Sequence, residues 1–446
     1  MKKTKLRGVA ALLLVCLISM SDYGYAQSTI DSLSMSLEEC LDYAKENSIT
    51  LQKAKLQIAN SEQDQVSAKG AFLPTVSGYV SQSFNSNPMN TDIDATKSSY
   101  SGSYGVDLSL SLYSGGKNRA LLQQSNVSYE ASNLELEEFE NSIEVSVTEL
   151  YIEILYAMEQ IDVAESTLEI SERTLARGQA FFDAGSLNSA ELAQLESSVA
   201  TYKYNLVVAQ TQLSNLYVAL KHLLEISQDL VLTIKEPTIS DELLSSYIAP
   251  MSDIYNEALV SRPEIKYNAL MIESAEFDLT IAKAGYLPTL NLSAGAGLNH
   301  NSYSDFAFSS QLRNNFNASL GLSLSIPIFN GFKTRSSVAK AQNYITSANL
   351  DLTQAQKDLY QTIETLYNNV QTSQAMYTVS AYQLEALEKS LDLITQQYEV
   401  GMKTTLELLT EQDNYNQSSQ DYLTNKYKLI LNKALLNYYK SDVIKL

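Results

Sequence analysis

The 446-residue sequence carries 51 Asp and Glu against 31 Lys and Arg, a formal charge of −20, with 45% hydrophobic residues. That acidity excludes a nucleic-acid binder, which needs a basic footprint, while the hydrophobic share is enough to bury a core. Of the two cysteines only Cys40 lies beyond the first 26 residues, so no intrachain disulfide is expected in the exported chain.

Residues 1–26 read as a signal peptide, with Lys2, Lys3, Lys5 and Arg7 ahead of an apolar run at 9–18 and Gly24-Tyr25-Ala26 at the cleavage site. The run is too short for a membrane helix and no later segment approaches 18 apolar residues, so export without a transmembrane helix is expected. Cys16 follows Val15, a larger residue than lipoprotein signals use, and lipid attachment is not expected there. Residues 37–69 carry helical spacing (Leu37, Leu41, Ala44, Leu51, Ala54) that also places Cys40 on the buried face. Pro74 ends the run.

Residues 75–84 alternate, Val76, Val80 and Phe84 against Ser77, Ser81 and Ser83. A polar loop at 85–99 contains Pro88. In the next strand, about 100–113, Tyr104, Val106, Leu108, Leu110 and Leu112 share one face and Ser103, Asp107, Ser109 and Ser111 the other. A strand between oil and water produces that alternation. From 117 to 177 there is neither Gly nor Pro, enough for one helix of roughly 90 Å. Its heptad seam runs from Ile143 through Val147, Leu150 and Ile154 to Leu168. A reversal is expected around Gly178 and Gly185, then a return helix with Leu195, Tyr202, Ala209 and Leu216 on its seam, an antiparallel hairpin.

After an irregular interval at 227–250 the order repeats, shifted by about 216 residues. A helix at 254–283 breaks at Arg262-Pro263. Strands follow at about 289–299 and 315–329 around a polar loop at 300–314, the second placing Leu320, Leu322, Leu324, Ile326 and Ile328 opposite Ser319, Gly321, Ser323 and Ser325. A Gly/Pro-free helix at 332–400 reverses at Gly401, and 402–446 returns. The chain therefore divides into repeats at 27–236, with its hairpin at 117–226, and 237–446, with its hairpin at 332–446. Glu411, Ser418, Asn425 and Asn432 make the last helix more polar than its counterpart, and that face is expected to meet water or a wet cavity.

Four amphipathic strands of about ten residues can cross an outer-membrane-type bilayer, but about eight are needed to close the smallest single-chain barrel. An open edge in lipid leaves backbone groups unsatisfied. Closure must come from other copies, and three would supply twelve strands. The Ser, Asn, Gly and Asp107 faces would line a wet lumen that the helices continue. Tyr79, Tyr100, Tyr104, Tyr113, Phe84, Phe308, Phe316 and Phe329 fit an interfacial aromatic belt.

The two Phe/Tyr-Leu-Pro-Thr turns (72–75 and 286–289) resemble those of TolC-type outer-membrane efflux proteins. So do the strand exits Leu112-Tyr113-Ser114-Gly115-Gly116 and Ile326-Pro327-Ile328-Phe329-Asn330-Gly331, and the hairpin ends Phe182-Asp183-Ala184-Gly185 and Tyr398-Glu399-Val400-Gly401. The resemblance spans the mature length. It implies an α+β membrane protein of the Gram-negative outer membrane: a homotrimeric twelve-stranded β-barrel continued by an α-helical barrel into the periplasm. Such a duct is passive and works with a periplasmic adaptor (membrane fusion) protein and an inner-membrane pump, in tripartite efflux or type I secretion.

The same resemblance assigns a pore gate to the second hairpin end. Glu407 falls on its first acidic position, and Thr410, uncharged, on the second, beside Glu411. Tyr398 matches the tip tyrosine, and Lys403 stands where an arginine often links helices in the closed state. Adaptor contact falls on Ala184, Gly185, Ser186 and Leu187 and on Val400, Gly401 and Met402. Read without the family, Glu407 and Glu411 are an i,i+4 pair on a solvated helix face, and Gly185 and Gly401 are ordinary helix-ending glycines. His222 and His300 lack neighbours at metal-ligand spacing. With no nucleophile–base pair and no phosphate loop, no enzyme and no cofactor are expected. The rival reading is a periplasmic coiled-coil adaptor or scaffold without a pore.

Overall fold

The computed structural model describes residues 32–86, 98–227, 229–237, 244, 247–302, 304 and 306–441. The signal peptide with Cys16, and Pro88 in its polar loop, lie outside the described residues. In chain order come β1 (Ser32–Met35), α1 (Leu37–Asn47), α2 (Ile49–Gly70), β2 (Thr75–Ser86), β3 (Ser98–Tyr113), α3 (Lys117–Asp183), α4 (Ser189–Leu223) and β4 (Val231–Ile234). The rest are α5 (Met251–Ser261), α6 (Pro263–Ala284), β5 (Thr289–Asn301), α7 (Phe308–Asn314), β6 (Asn317–Ser325), α8 (Lys333–Glu399) and α9 (Thr405–Ser441).

The order β2-β3-β5-β6 makes one antiparallel sheet, with β3 and β5 joining the two halves of the chain. Its register aligns the alternation of every strand. One row reads Val76, Leu108, Ala294, Leu320, and another Leu110, Leu292, Leu322; the rows alternating with them read Ser77, Asp107, Gly295, Ser319 and Ser109, Ser293, Gly321. From the foot of the sheet to its middle one face is thus apolar and the other polar, as a single slip in register would have prevented, and toward the far end Gln82 and His300 join the apolar face. Tyr79 departs from the expected aromatic belt. It pairs with Gly105 on the polar face between Ser77 and Ser81, and its ring lies where a Cβ on Gly105 would stand. The last strand ends at Ser325 rather than 329, because Pro327 has no N–H for the ladder. The expected polar loop at 300–314 includes the short helix α7.

Two hairpins, α3–α4 and α8–α9, lie side by side with α9 packed on α3. The two 67-residue helices each span about 100 Å. α3 passes through Gly178 without breaking. A Cβ there would come 2.2 Å from Leu195 Cδ1, so this glycine permits close helix approach and only Gly185 reverses the chain. The expected helix at 37–69 is divided at Ser48, whose hydroxyl caps the Leu51 N–H at 3.4 Å.

Four helix ends meet at the foot of the sheet. Asn118 Nδ2 donates to the Ala71 carbonyl at 3.2 Å, and Thr334 Oγ1 to the Gly285 carbonyl at 3.3 Å. Midway along the hairpins, Val147, Tyr151 and Ile154 pack with Leu220, Leu224, Ile254, Ile363, Val370, Leu429 and Leu436 in the main core. A parallel pair, β1 with β4, covers it, and the Tyr151 hydroxyl donates to the Lys235 carbonyl. Cys40 is wholly buried here, and burial pushes its thiol up to about 12. Arg262, at the expected break, is 2% exposed. Its Nη2 donates to the Tyr438 carbonyl at 2.7 Å and its guanidinium stacks over Tyr438 and Tyr439.

The polar side of α9 does not face a wet surface throughout. Ser418 is 1% exposed, and Asn432 Nδ2 donates to Ser373 Oγ at 3.0 Å. Ser418 is small enough to fill the helix–helix contact and Asn432 bonds across it, whereas periodicity alone reads both as water exposure.

Candidate functional site

The two hairpin ends are built alike. After α3, the Gly185 N–H donates to the Phe182 carbonyl and the Ser186 N–H to that of Phe181, at 2.9 and 2.8 Å. After α8, Gly401 and Met402 bond Tyr398 and Gln397 the same way, at 3.0 and 2.8 Å. Both glycines take positive φ, +75° and +77°. This is a Schellman ending, which needs a left-handed residue at that position. The return helices then start on capping boxes, Asn188 with Glu191 and Thr404 with Glu407.

Glu407 therefore already has a local task. One carboxylate oxygen accepts from the Thr404 N–H and hydroxyl, each at 3.0 Å, and the other takes the Lys403 ammonium at 2.6 Å. The Lys403 bond and then the Thr404 bonds hold its carboxyl down at about 2. Lys403 reaches Glu407 within its own turn and first helical turn, not another helix. Glu411, one turn on, is half-buried and accepts from Asn414 Nδ2 at 3.4 Å.

Tyr398 is 4% exposed and packs edge-on against Phe181 of the first hairpin, in a cluster with Leu391 and Leu408. The hairpin ends are also joined by an ion pair absent from the sequence reading, Arg177 with Glu399. Ala184, Gly185, Ser186, Val400, Gly401 and Met402 are exposed and Leu187 half-buried, with Val400 and Met402 presenting the apolar part of the second tip.

Above the tips, α9 is tied to the first hairpin by a ladder of polar contacts. Gln412 Nε2 donates to Thr174 Oγ1 at 3.3 Å, the Tyr202 hydroxyl to Asp413 Oδ1 at 2.7 Å, and Thr167 Oγ1 to Asn416 Oδ1 at 2.9 Å. Farther up, Lys426 Nζ sits 2.8 Å from both oxygens of Glu159. Burial pushes the Tyr202 phenol up, and the Asp413 carboxylate beside it acts in the same direction. Tyr202 is itself a seam position and the others are interleaved with the seams, and no sequence motif marks them. Among the described residues no group of His, Cys, Asp and Glu could hold a metal ion, and no helix is long and apolar enough to cross a membrane.

The sequence model of one protein family, outer membrane efflux protein, matches residues 40–224 and 254–437. The chain is 22% identical over 385 residues to the outer membrane efflux protein BepC of Brucella suis, covering 86% of this chain and 80% of that protein. It is 24% identical over 409 residues to the pyoverdine export outer membrane protein OpmQ of Pseudomonas aeruginosa, covering 84% and 78%. Among solved structures, the outer membrane protein VceC of Vibrio cholerae superposes with a TM-score of 0.76 at 16% identity, over 91% of this chain and 96% of that one. CusC superposes with a TM-score of 0.73 at 20% identity, over 94% and 95%.

Proposed function

This chain belongs to the outer membrane efflux protein family, channels of the outer membrane with a periplasmic helical tunnel, and on that premise we propose that three copies form one export duct. Each copy contributes four strands to a twelve-stranded barrel, and the paired hairpins continue the bore through the periplasm. The observation that carries this reading is the sheet itself: predominantly apolar on one face, predominantly polar on the other, with β2 and β6 at its open edges. In lipid those edges require partners, and a neighbouring copy offers the complementary one. The pore-less adaptor reading has no comparable use for such a sheet.

The duct is passive and takes its cargo from an inner-membrane pump through a periplasmic adaptor, in an efflux or type I secretion system. The adaptor meets the hairpin ends at 184–187 and 400–402. The periplasmic mouth narrows at the second hairpin, where three copies of Glu407 and Glu411 focus cations, and where Tyr398 packing and the Lys403–Glu407 pair stiffen the closed form.

The test is the oligomeric mass and negative-stain image of the detergent-purified protein, with conductance in planar bilayers. A trimer-sized tapered tube that conducts is expected. A water-soluble monomer without β signal in circular dichroism would overturn the proposal.

A further inference from the structure

Cations gather where the sheet meets the helices. The last turns of α2 and α6 carry Lys69 and Lys283, and both long helices open with Lys-x-Arg, Lys117 and Arg119 on α3 and Lys333 and Arg335 on α8. All six side chains are exposed. None forms an ion pair among the described residues. The adjoining stretches 65–70, 114–129, 279–288 and 326–350 contain no Asp or Glu, although the whole chain is at −20.

This segregation is not explained by helix stability. A helix start favours acids, yet neither long helix has an acid in its first turn or a side-chain cap. The six positions also share one level, since Asn118 bonds Ala71 and Thr334 bonds Gly285 across the junction. The apolar face of the sheet begins at this level. Beside the cations stand exposed Phe72, Tyr286, Ile328, Phe329 and Phe332, and Arg335 shares a cavity of about 200 Å³ with the last four. Aromatic rings and cations side by side at the end of a membrane-facing surface match the chemistry of lipid headgroups.

We propose that this collar binds the phosphate groups of anionic phospholipid in the periplasmic leaflet of the outer membrane. The guanidiniums of Arg119 and Arg335 take a phosphate through paired N–H donors, the lysines act as point charges, and the rings of Phe329 and Phe332 receive the start of an acyl chain. The inference rests on the barrel reading, because only a sheet in the bilayer brings the collar to headgroup depth.

The experiment measures phospholipid retained by the full-length oligomer in neutral detergent, by native mass spectrometry, with phosphatidylglycerol or phosphatidylcholine added. The collar variant combines Lys117→Gln, Arg119→Gln, Lys333→Gln and Arg335→Gln. A control removes the same charge elsewhere, at Lys53, Lys55, Lys203 and Lys357. Wild type and control should retain phosphatidylglycerol over phosphatidylcholine, and the collar variant should lose roughly tenfold or more of that retention.

Equal retention by wild type and collar variant, or no preference between the lipids in wild type, would overturn the collar. Displacement by millimolar inorganic phosphate would do so too, by showing a free-anion site. If the collar variant does not assemble, the charge-preserving exchange of Lys and Arg at the four positions must retain phosphatidylglycerol like wild type, and loss there refutes the proposal. Conductance of the same preparations separates the two readings: conducting wild type without lipid preference sinks the collar alone, whereas a preparation that never conducts sinks the duct.

Discussion

Replacing Tyr202 with Phe removes one hydroxyl and keeps the ring. That hydroxyl donates to Asp413 Oδ1 at 2.7 Å and ties α4 to α9, while the residue is 8% exposed. A hydrogen bond to a charged acceptor contributes about 1.5–3 kcal/mol. Asp413 is itself exposed and regains water when the bond is lost, so the low end applies. About 1.5 kcal/mol corresponds to roughly tenfold in the local opening of α9. Arg177→Gln breaks the ion pair with Glu399, but those side chains are 47% and 40% exposed. Pairs so open to solvent contribute roughly 0–1 kcal/mol, about fivefold at most. Hydrogen exchange of the amides at 405–420 in the assembled protein reads both. Tyr202→Phe should exceed Arg177→Gln in exchange rate. Equal or greater loosening by Arg177→Gln would refute the reasoning, and would place the tie between hairpins at the tip ion pair instead of the polar ladder.

Glu407→Gln should keep the start of α9 helical, since Gln also closes a capping box, while reducing block of single-channel current by multivalent cations; unchanged block removes the charged ring from the mouth. Because the Glu407 carboxyl is held at about 2, its contribution to the tip is fully present above the ordinary carboxylate value near 4.3 and is lost only as pH falls toward 2. Amide exchange at 404–408 should therefore stay slow from about pH 7 to pH 5 in wild type and quicken below about pH 4, and faster exchange already at about pH 5, after correction for intrinsic rates, contradicts it. Leu322→Arg places a charge on the apolar face at a cost of roughly 2–4 kcal/mol near the bilayer midplane, and heat-resistant oligomer on gels should fall; normal assembly means the two faces are reversed. Asp107 is the only carboxylate in the described strands, which hold no Lys or Arg, so Asp107→Asn should lower cation selectivity measured by reversal potential. An unchanged potential takes Asp107 out of the lumen.

The strands and long helices were legible because each repeats one simple period. Val106, Leu108 and Leu110 alternate for as long as the sheet has an apolar face, and Val147, Ile154 and Leu220 recur wherever one helix lies along another. The departures came from single residues whose effect depends on what lies opposite. Gly178 reads as a breaker until Leu195 is seen against it. Ser48 reads as a polar step in a helix until its hydroxyl is seen to cap the next one. The β1–β4 pair joins four residues to four others about 200 positions away, and strands that short carry no periodic signal.

At the hairpin ends, position was readable and role was not. Charge and spacing pick out Glu407 and Lys403, but say nothing of direction, and both side chains turn back on their own turn. The internal repeat supplies the missing argument. Glu191 occupies the same place in the first tip and closes the same box with Asn188, so the glutamate answers first to the geometry of reversing a long helix. Any task at the mouth is then added to a residue that cannot leave its cap. That makes the carboxylate a fixed charge: bonded by Lys403 and Thr404 it stays ionised across the physiological range, and in the proposed duct a displacement of α9 as a body would break the rungs at Tyr202, Thr167 and Thr174 while leaving this cap intact.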